Sequence, residues 1–309
     1  MLQSSKVRSL IRLNLSHHKE ETQKGEIDMK KPIDFQSIEL TNDMMFCAVL
    51  QEPELCREFL QRVLGIEIQE LTLTQAQQNM KAGVYSKGIR LDIYAKDVSG
   101  NVYDIEMQKL DTKELDLRSR YYHSEMDSHQ IYEGQGYKDM KESVVIFVCD
   151  FDLFQKGRSV YTFESVCCED LAIRLNDRRK TVFVNIHGKR DGVPIDLAKL
   201  LDYLQSSQPT DAYTEDLQRR VARMRDDTKW REQYMTWEMT LQERYEDGVE
   251  AGRREGRNQG IEENLCSQIQ KKLEKGKSLE QIADECEETE ERIQELIEKL
   301  KRSGRLKTN

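Results

Sequence analysis

The chain has 309 residues, 34% of them charged and 37% hydrophobic, with a formal net charge of −9. That balance excludes a uniformly basic nucleic-acid coat but leaves room for a local basic groove, because phosphate contacts depend on nearby Lys and Arg. No apolar run approaches the roughly 18 residues that span a bilayer, and the N-terminus lacks the apolar stretch of a signal peptide, so the expectation is a cytoplasmic protein without a membrane partner.

Residues 1–30 are polar and unpatterned and predict a disordered lead-in. From Asp43 to Leu64 apolar residues recur at helical spacing; Pro53 divides them into two short helices and Gly65 offers the stop. Strands are expected at Ile66–Thr74, Ile89–Ala95 and Val102–Gln108, followed by a helix of six or seven turns from about Leu115 to Lys141. Val144–Cys149 is apolar on both faces, as a central strand covered on two sides requires. Tyr161–Phe163 and Thr181–Ile186 are further strands. Helices and strands in this order predict an α/β domain with a mixed sheet over residues 31–195.

A helical extension follows over 196–245, with Trp230, Tyr234 and Trp237 as an aromatic stripe. Residues 246–309 form a charged tail in which Gly248, Gly252, Gly256 and Gly260 recur every four residues. Each glycine costs a helix about 1 kcal/mol against alanine, so the segment is either a self-association helix packed against a partner or a flexible linker. Ser278 and Gln281 have capping-box spacing, and Thr289 opens a second amphipathic stretch. A small helix-turn-helix and an oligomerising hairpin both fit; the acidic run from Glu287 to Glu291 favours the hairpin, and with it a homo-oligomer. Seven cysteines, an odd number without CxxC spacing, read as reduced thiols.

The chemistry concentrates in residues 88–108. Leu91, Ile93 and Ala95 alternate with Arg90, Asp92 and Tyr94; Tyr103, Ile105 and Met107 alternate with Asp104, Glu106 and Gln108. Val98-Ser99-Gly100 makes a three-residue hairpin loop. With Ser99 at its centre, Asp92 opposes Glu106 on one sheet face, at the ~5 Å separation of cross-strand neighbours. Two carboxylates so placed repel unless a cation lies between them or one is protonated. Mg²⁺ favours such a pair, and Gln108 on the same face is placed to orient an attacking water. A hairpin with one wetted face produces the same alternation, so pattern alone leaves both readings open.

Asp92 followed by Glu106-Met107-Gln108 resembles the PD-(D/E)xK nuclease motif in its E-x-Q form. More specifically, the chain resembles the Rpn family of recombination-promoting nucleases, also described as transposases. The similarity runs through Leu40-Thr-Asn-Asp-Met-Met-Phe46, Arg118-Ser-Arg-Tyr-Tyr122, Gly134-Gln-Gly-Tyr137, Val184-Asn-Ile-His-Gly188 and Trp230-Arg-Glu-Gln-Tyr-Met235. It implies a restriction-endonuclease-like core and Mg²⁺-dependent cleavage of DNA, with Mn²⁺ as a substitute. The setting it implies is recombination, transposition or genome defence. It also implies that Asp92 and Glu106 bind metal, that Gln108 takes the place of the usual lysine, and that Asp43 is an acid from the first helix. Asp43 equally suits a helix N-cap. Arg90, Lys109, Arg118, Arg120, Tyr122, Gln130 and Tyr137 are the candidates for contacting DNA or supporting the metal ligands. The rival reading is a catalytically inactive interaction protein that keeps the fold.

Overall fold

The computed structural model describes residues 33–73, 78–80, 89–131 and 134–306, with side chains for all but 78–80 and 89–91. The expected lead-in at 1–30 lies outside the described residues. These divide into two compact units, 33–238 and 239–306.

The first unit opens with helices α1 (Asp43–Leu50) and α2 (Pro53–Leu64), separated as Pro53 dictates. Pro53 opens α2, where its missing N–H is harmless, and Gly65 ends it in the left-handed conformation at φ 66°. Strands β1 (Leu71–Leu73), β2 (Gln78–Met80), β3 (Ile89–Leu91), β4 (Ile93–Asp97) and β5 (Val102–Gln108) follow, then helix α3 (Leu115–Ser128). Strands β6 (Ser143–Cys149), β7 (Val160–Phe163) and β8 (Arg179–Asn185) lead to helices α4 (Ile195–Ser206) and α5 (Ala212–Asp226). Helix α6 (Thr228–Glu274) begins in this unit.

Six strands form one sheet in the order β1-β4-β5-β6-β8-β7; β5, β6 and β8 are parallel and the outer pairings antiparallel. All seven residues of β6 are buried, as a strand covered on both faces requires. One face carries Ile105, Met107, Val144, Ile146, Val182 and Val184 against α1, α2, α4 and α5. Trp230 and Tyr234 close this core against Phe35, with edge-on rings 6.4 and 6.0 Å away. The opposite face packs Val145, Phe147, Cys149 and Phe183 with Leu115, Tyr122 and Met126 of α3. This mixed sheet flanked by helices is the α/β, restriction-endonuclease-like architecture expected, with a helical C-terminal region.

Three boundaries differ from expectation. Helix α3 stops at Ser128, not Lys141, because Gly134 and Gly136 follow and Gly134 adopts φ 91°. The strand expected from Ile66 is reduced to Leu71–Leu73, since α2 side chains capture the backbone ahead of it. Gln61 Oε1 accepts from the Ile68 N–H at 2.9 Å, and Arg57 donates to the Ile68 carbonyl at 3.3 Å. The strand expected over Ile89–Ala95 breaks at Asp92, whose N–H leaves the ladder for a side chain.

In the second unit α6 continues as a helix through Gly248, Gly252, Gly256 and Gly260, so the segment is helical, not a linker of irregular structure. Helices α7 (Leu279–Cys286) and α8 (Glu290–Arg302) start at Ser278 and Thr289, whose side chains accept from the N–H groups of Gln281 and Arg292. Ile282, Ile293, Leu296 and Leu300 bury their stripes against Cys266 and Ile269 of α6. All seven cysteines are free thiols. Among the described residues no helix is long and apolar enough to cross a membrane.

Candidate active site

Gly100 turns the β4–β5 hairpin at φ 89°, and the register pairs Ile93 with Ile105, Tyr94 with Asp104 and Ala95 with Tyr103. Paired numbers sum to 198, so Asp92 comes opposite Glu106, just past the last paired residue of β4. The contact is direct: the Asp92 N–H donates to Glu106 Oε1 at 3.2 Å. Asp104, Glu106 and Gln108 share the face under α3, because side chains on one strand alternate with period two.

Glu106 Oε2 accepts from Arg118 Nη2 at 2.9 Å and from Gln108 Nε2 at 3.3 Å. Arg118 also donates from Nη1 to Gln108 Oε1 at 3.0 Å, so its planar fork bridges the two residues of the motif. Tyr122, one turn further along α3, accepts from Arg118 at 2.7 Å and lies under its guanidinium. Arg118 and Tyr122 therefore brace the acid; Tyr122 is buried and offers no surface for a DNA phosphate.

Burial drives the Glu106 carboxyl up to about 8, and repulsion from Asp92 and Asp43 adds to it, while Arg118 and the Asp92 N–H pull the other way. Burial opposes the Arg118 charge, but Tyr122, Glu106 and Asp92 together hold its pKa above the ordinary value. Asp43 is exposed yet set in a recess whose desolvation raises its pKa, against the pull of Lys109. The capping role considered for Asp43 falls instead to Asn42, whose side chain accepts from the Met44 and Met45 N–H groups at 3.1 and 3.2 Å.

Asp104 is a residue that sequence reasoning passed over. It is fully buried, and neither carboxylate oxygen has a hydrogen-bond partner among the described residues. Burial, then Glu106 and Asp92, push its pKa well above the ordinary range. The period-two pattern placed it on the same face as Glu106; nothing in the sequence marked it as dry.

Lys109 is exposed beside the site. Arg120 faces away from Glu106, toward a cavity on the other side of α3. Gln130 holds the loop after α3, accepting from the Lys141 N–H at 2.8 Å, and Tyr137 is 88% exposed. The Arg90 side chain lies outside the described residues. His123 is buried and bonded to Ser143 at 2.7 Å and Thr181 at 3.0 Å, and burial pushes its pKa down to about 4. His129 sits at the end of α3 against the Glu125 carbonyl.

The decisive comparison is with protein families. The model of the PD-(D/E)XK nuclease family transposase matches residues 41–246. The chain belongs to that family. The match takes in the whole sheet, the acids and the first turns of α6. Comparison with curated proteins and with solved structures returned no match.

PD-(D/E)XK nucleases in general use divalent metals, and the donors here suit one. Asp43, Asp92 and Glu106 offer the hard oxygens that Mg²⁺ or Mn²⁺ prefer. Their mutual repulsion, and the unpartnered oxygens of Asp104 behind them, mark a site short of positive charge. No group of three or more His, Cys, Asp or Glu side chains is close enough to hold a metal among the described residues. A pair of carboxylates is nonetheless the usual protein share for Mg²⁺, which keeps several waters. Both Glu106 oxygens already accept hydrogen bonds, so a cation at Glu106 competes with Arg118.

Proposed function

We propose that this chain is a Mg²⁺-dependent DNA endonuclease, with Mn²⁺ able to substitute, that hydrolyses phosphodiester bonds in recombination, transposition or genome defence. The observation that carries the reading is the Asp92–Glu106 contact: two acids from neighbouring strands meet inside an acidic cluster that a divalent cation would neutralise. Asp92 and Glu106 would hold the ion, with Asp43 at the rim. When bound, such an ion offsets charge building on the phosphate and acidifies an adjacent water.

The chain's own residues supply the rest. Arg118, released from Glu106, presents a planar pair of donors suited to a phosphate. Gln108 contributes neutral hydrogen bonds where a lysine would contribute charge, so it orients a water without stabilising an anion electrostatically. Lys109 adds positive charge at the entrance. The nuclease core is assigned to 31–195, a helical extension to 196–245 and a self-associating tail to 246–309.

The second reading, an inactive interaction protein with the nuclease fold, is favoured by one feature: Arg118 and the Asp92 N–H satisfy both Glu106 oxygens without a metal. Purified protein incubated with plasmid DNA and Mg²⁺ or Mn²⁺, with and without chelator, separates the two. Nicking abolished by chelator supports the nuclease. No nicking with either ion supports the inactive protein.

A further inference from the structure

On the far side of α3 from Arg118, a cavity of about 300 Å³ opens between this helix and strands β7 and β8. Its walls are aromatic. Phe154, Phe163 and Phe183 pack together with ring centroids 5.1 to 5.8 Å apart, and Phe163 at the edge remains 47% exposed. Such a volume lies at the small end of ligand sites and suits one flat ring.

The charges around the cavity are unequal in what they leave available. Glu164 is ion-paired with Arg174, and Asp116 accepts from the Leu117 N–H at 2.8 Å. Arg120 and Arg179 also line the cavity, and neither guanidinium has a hydrogen bond or ion pair among the described residues. Glu164 is neutralised by its ion pair; Asp116 keeps its charge and Arg179 also acts on Asp127, but both guanidinium groups keep donors open to the cavity. A flat ring carrying a phosphate complements both features.

The sheet register relates this cavity to the acids. Glu106 pairs with Phe147 on β6, and Phe147 pairs with Phe183 on β8, all on the face under α3. Phe183 thus lies two strand spacings from Glu106, roughly 10 Å.

We propose that this cavity receives an unstacked base of the DNA strand whose phosphate lies at Asp92 and Glu106. The substrate class is then DNA with an unpaired base near the cut: a single-stranded end, a flap or a branch. The identity of the strand rests on the nuclease reading. Phe163, the exposed ring, would stack on the base, Phe183 would meet the base edge, and Arg120 and Arg179 would hold its flanking phosphates. Stacking is tolerant of sequence, so weak base preference is expected.

The test uses the full chain in chelator, so that binding is read apart from cleavage. Probes are a short single strand carrying 2-aminopurine, the matching perfect duplex, and free 2-aminopurine deoxyribonucleotide; readouts are anisotropy and 2-aminopurine fluorescence. The single strand should bind more tightly than the duplex and change the fluorescence at one position. Phe163→Leu, which keeps apolar bulk, and Phe163→Ala should weaken single-strand binding about five- to 100-fold. Arg179→Gln should weaken it and flatten its salt dependence. Equal binding of duplex and single strand, unaffected by either Phe163 variant, overturns the proposal. Free nucleotide binding as tightly as the strand overturns the strand as the occupant. Nicking of plasmid without Phe163-dependent binding refutes the cavity alone. Phe163-dependent binding without nicking under Mg²⁺ or Mn²⁺ refutes the hydrolytic reading and leaves the base site standing.

Discussion

Two polar clusters lie buried under the same helix, on the same sheet face, and they are built on opposite principles. Around His123 every group is matched: Nδ1 meets Ser143, Nε2 meets Thr181, and the ring stays neutral because burial lowers its pKa to about 4. Around Glu106 the groups conflict. Among the described residues Asp104 has no hydrogen-bond partner for either oxygen, Glu106 is pushed up to about 8, and Arg118 works against the mutual repulsion of Asp104, Glu106 and Asp92. A satisfied polar cluster specifies packing. An unsatisfied one lowers stability and persists where function requires it. The difference supports the proposed placement of the chemistry at the hairpin, although the histidine is the more conventional catalytic residue.

Substitutions at the acids should break the comparison most sharply. Asp92→Ala and Glu106→Ala should each lower plasmid nicking by at least about 10³-fold, the order expected when a main electrostatic contributor is lost. Circular dichroism should show both variants folded. Nicking that survives either substitution removes the site assignment.

Next in size is the pH dependence of stability in metal-free protein, where the clusters have opposite signs. Folded Glu106 keeps its proton to about 8 against an ordinary 4.5, so the folded state binds more protons across that interval and stability falls as pH rises through it. Asp104 acts in the same direction. Folded His123 is neutral down to about 4 against an ordinary 6.5, so its contribution is complete above 6.5 and is lost as pH falls toward 4. Between 6.5 and 8 only the acids act, and melting temperature should decline. Glu106→Gln should remove much of that decline and melt higher than the unmodified protein near pH 9, on the order of 5 °C. Equal slopes in the two proteins would show that Glu106 is ionised throughout.

At the matched cluster, His123→Ala leaves two buried hydroxyls without their partner. Denaturant titration should show a loss of about 1–3 kcal/mol. Nicking by the folded fraction should fall far less than at the acids, because His123 touches neither Asp92 nor Glu106 and only lines the cavity beside α3. A thousandfold loss there would move the chemistry to the wrong cluster.

The smallest effect on the sheet should come from the tail. Truncation after Tyr245 removes the stripe of Gly248, Gly252, Gly256 and Gly260 together with α7 and α8. It should lower the solution mass seen by light scattering while changing the melting of the first unit by no more than about 2 °C. An unchanged mass excludes self-association through this segment.

Features fixed by local pattern were legible in the sequence. Period-two alternation with Gly100 at the turn gave the hairpin register, and hence the Asp92–Glu106 pairing. Pro53 and Gly65 gave the bounds of α2; Ser278 and Thr289 gave the starts of the last two helices. Features that depend on partners distant in the chain were not legible. The family resemblance singles out Arg118 only as one of several residues that contact DNA or support the metal ligands; the choice between those roles waits until α3 lays it across Glu106 and Gln108. Asp104 reads as a wetted strand residue until α3 covers it. The strand forecast at Ile66 failed for the same reason, since Gln61 and Arg57 take its backbone groups. Asp and Asn serve equally well as helix caps, so the sequence does not separate Asp43 from its neighbour; geometry assigns that role to Asn42.

In the proposed nuclease, Asp92 and Glu106 converge on one divalent ion that displaces Arg118. A crystal of the full chain soaked in Mn²⁺, measured at the manganese edge, tests it most directly. One anomalous peak should lie within bonding distance of both carboxylates, with the Arg118 guanidinium moved off Glu106. A crystal with no peak there, and the Arg118–Glu106 ion pair intact at saturating Mn²⁺, contradicts it.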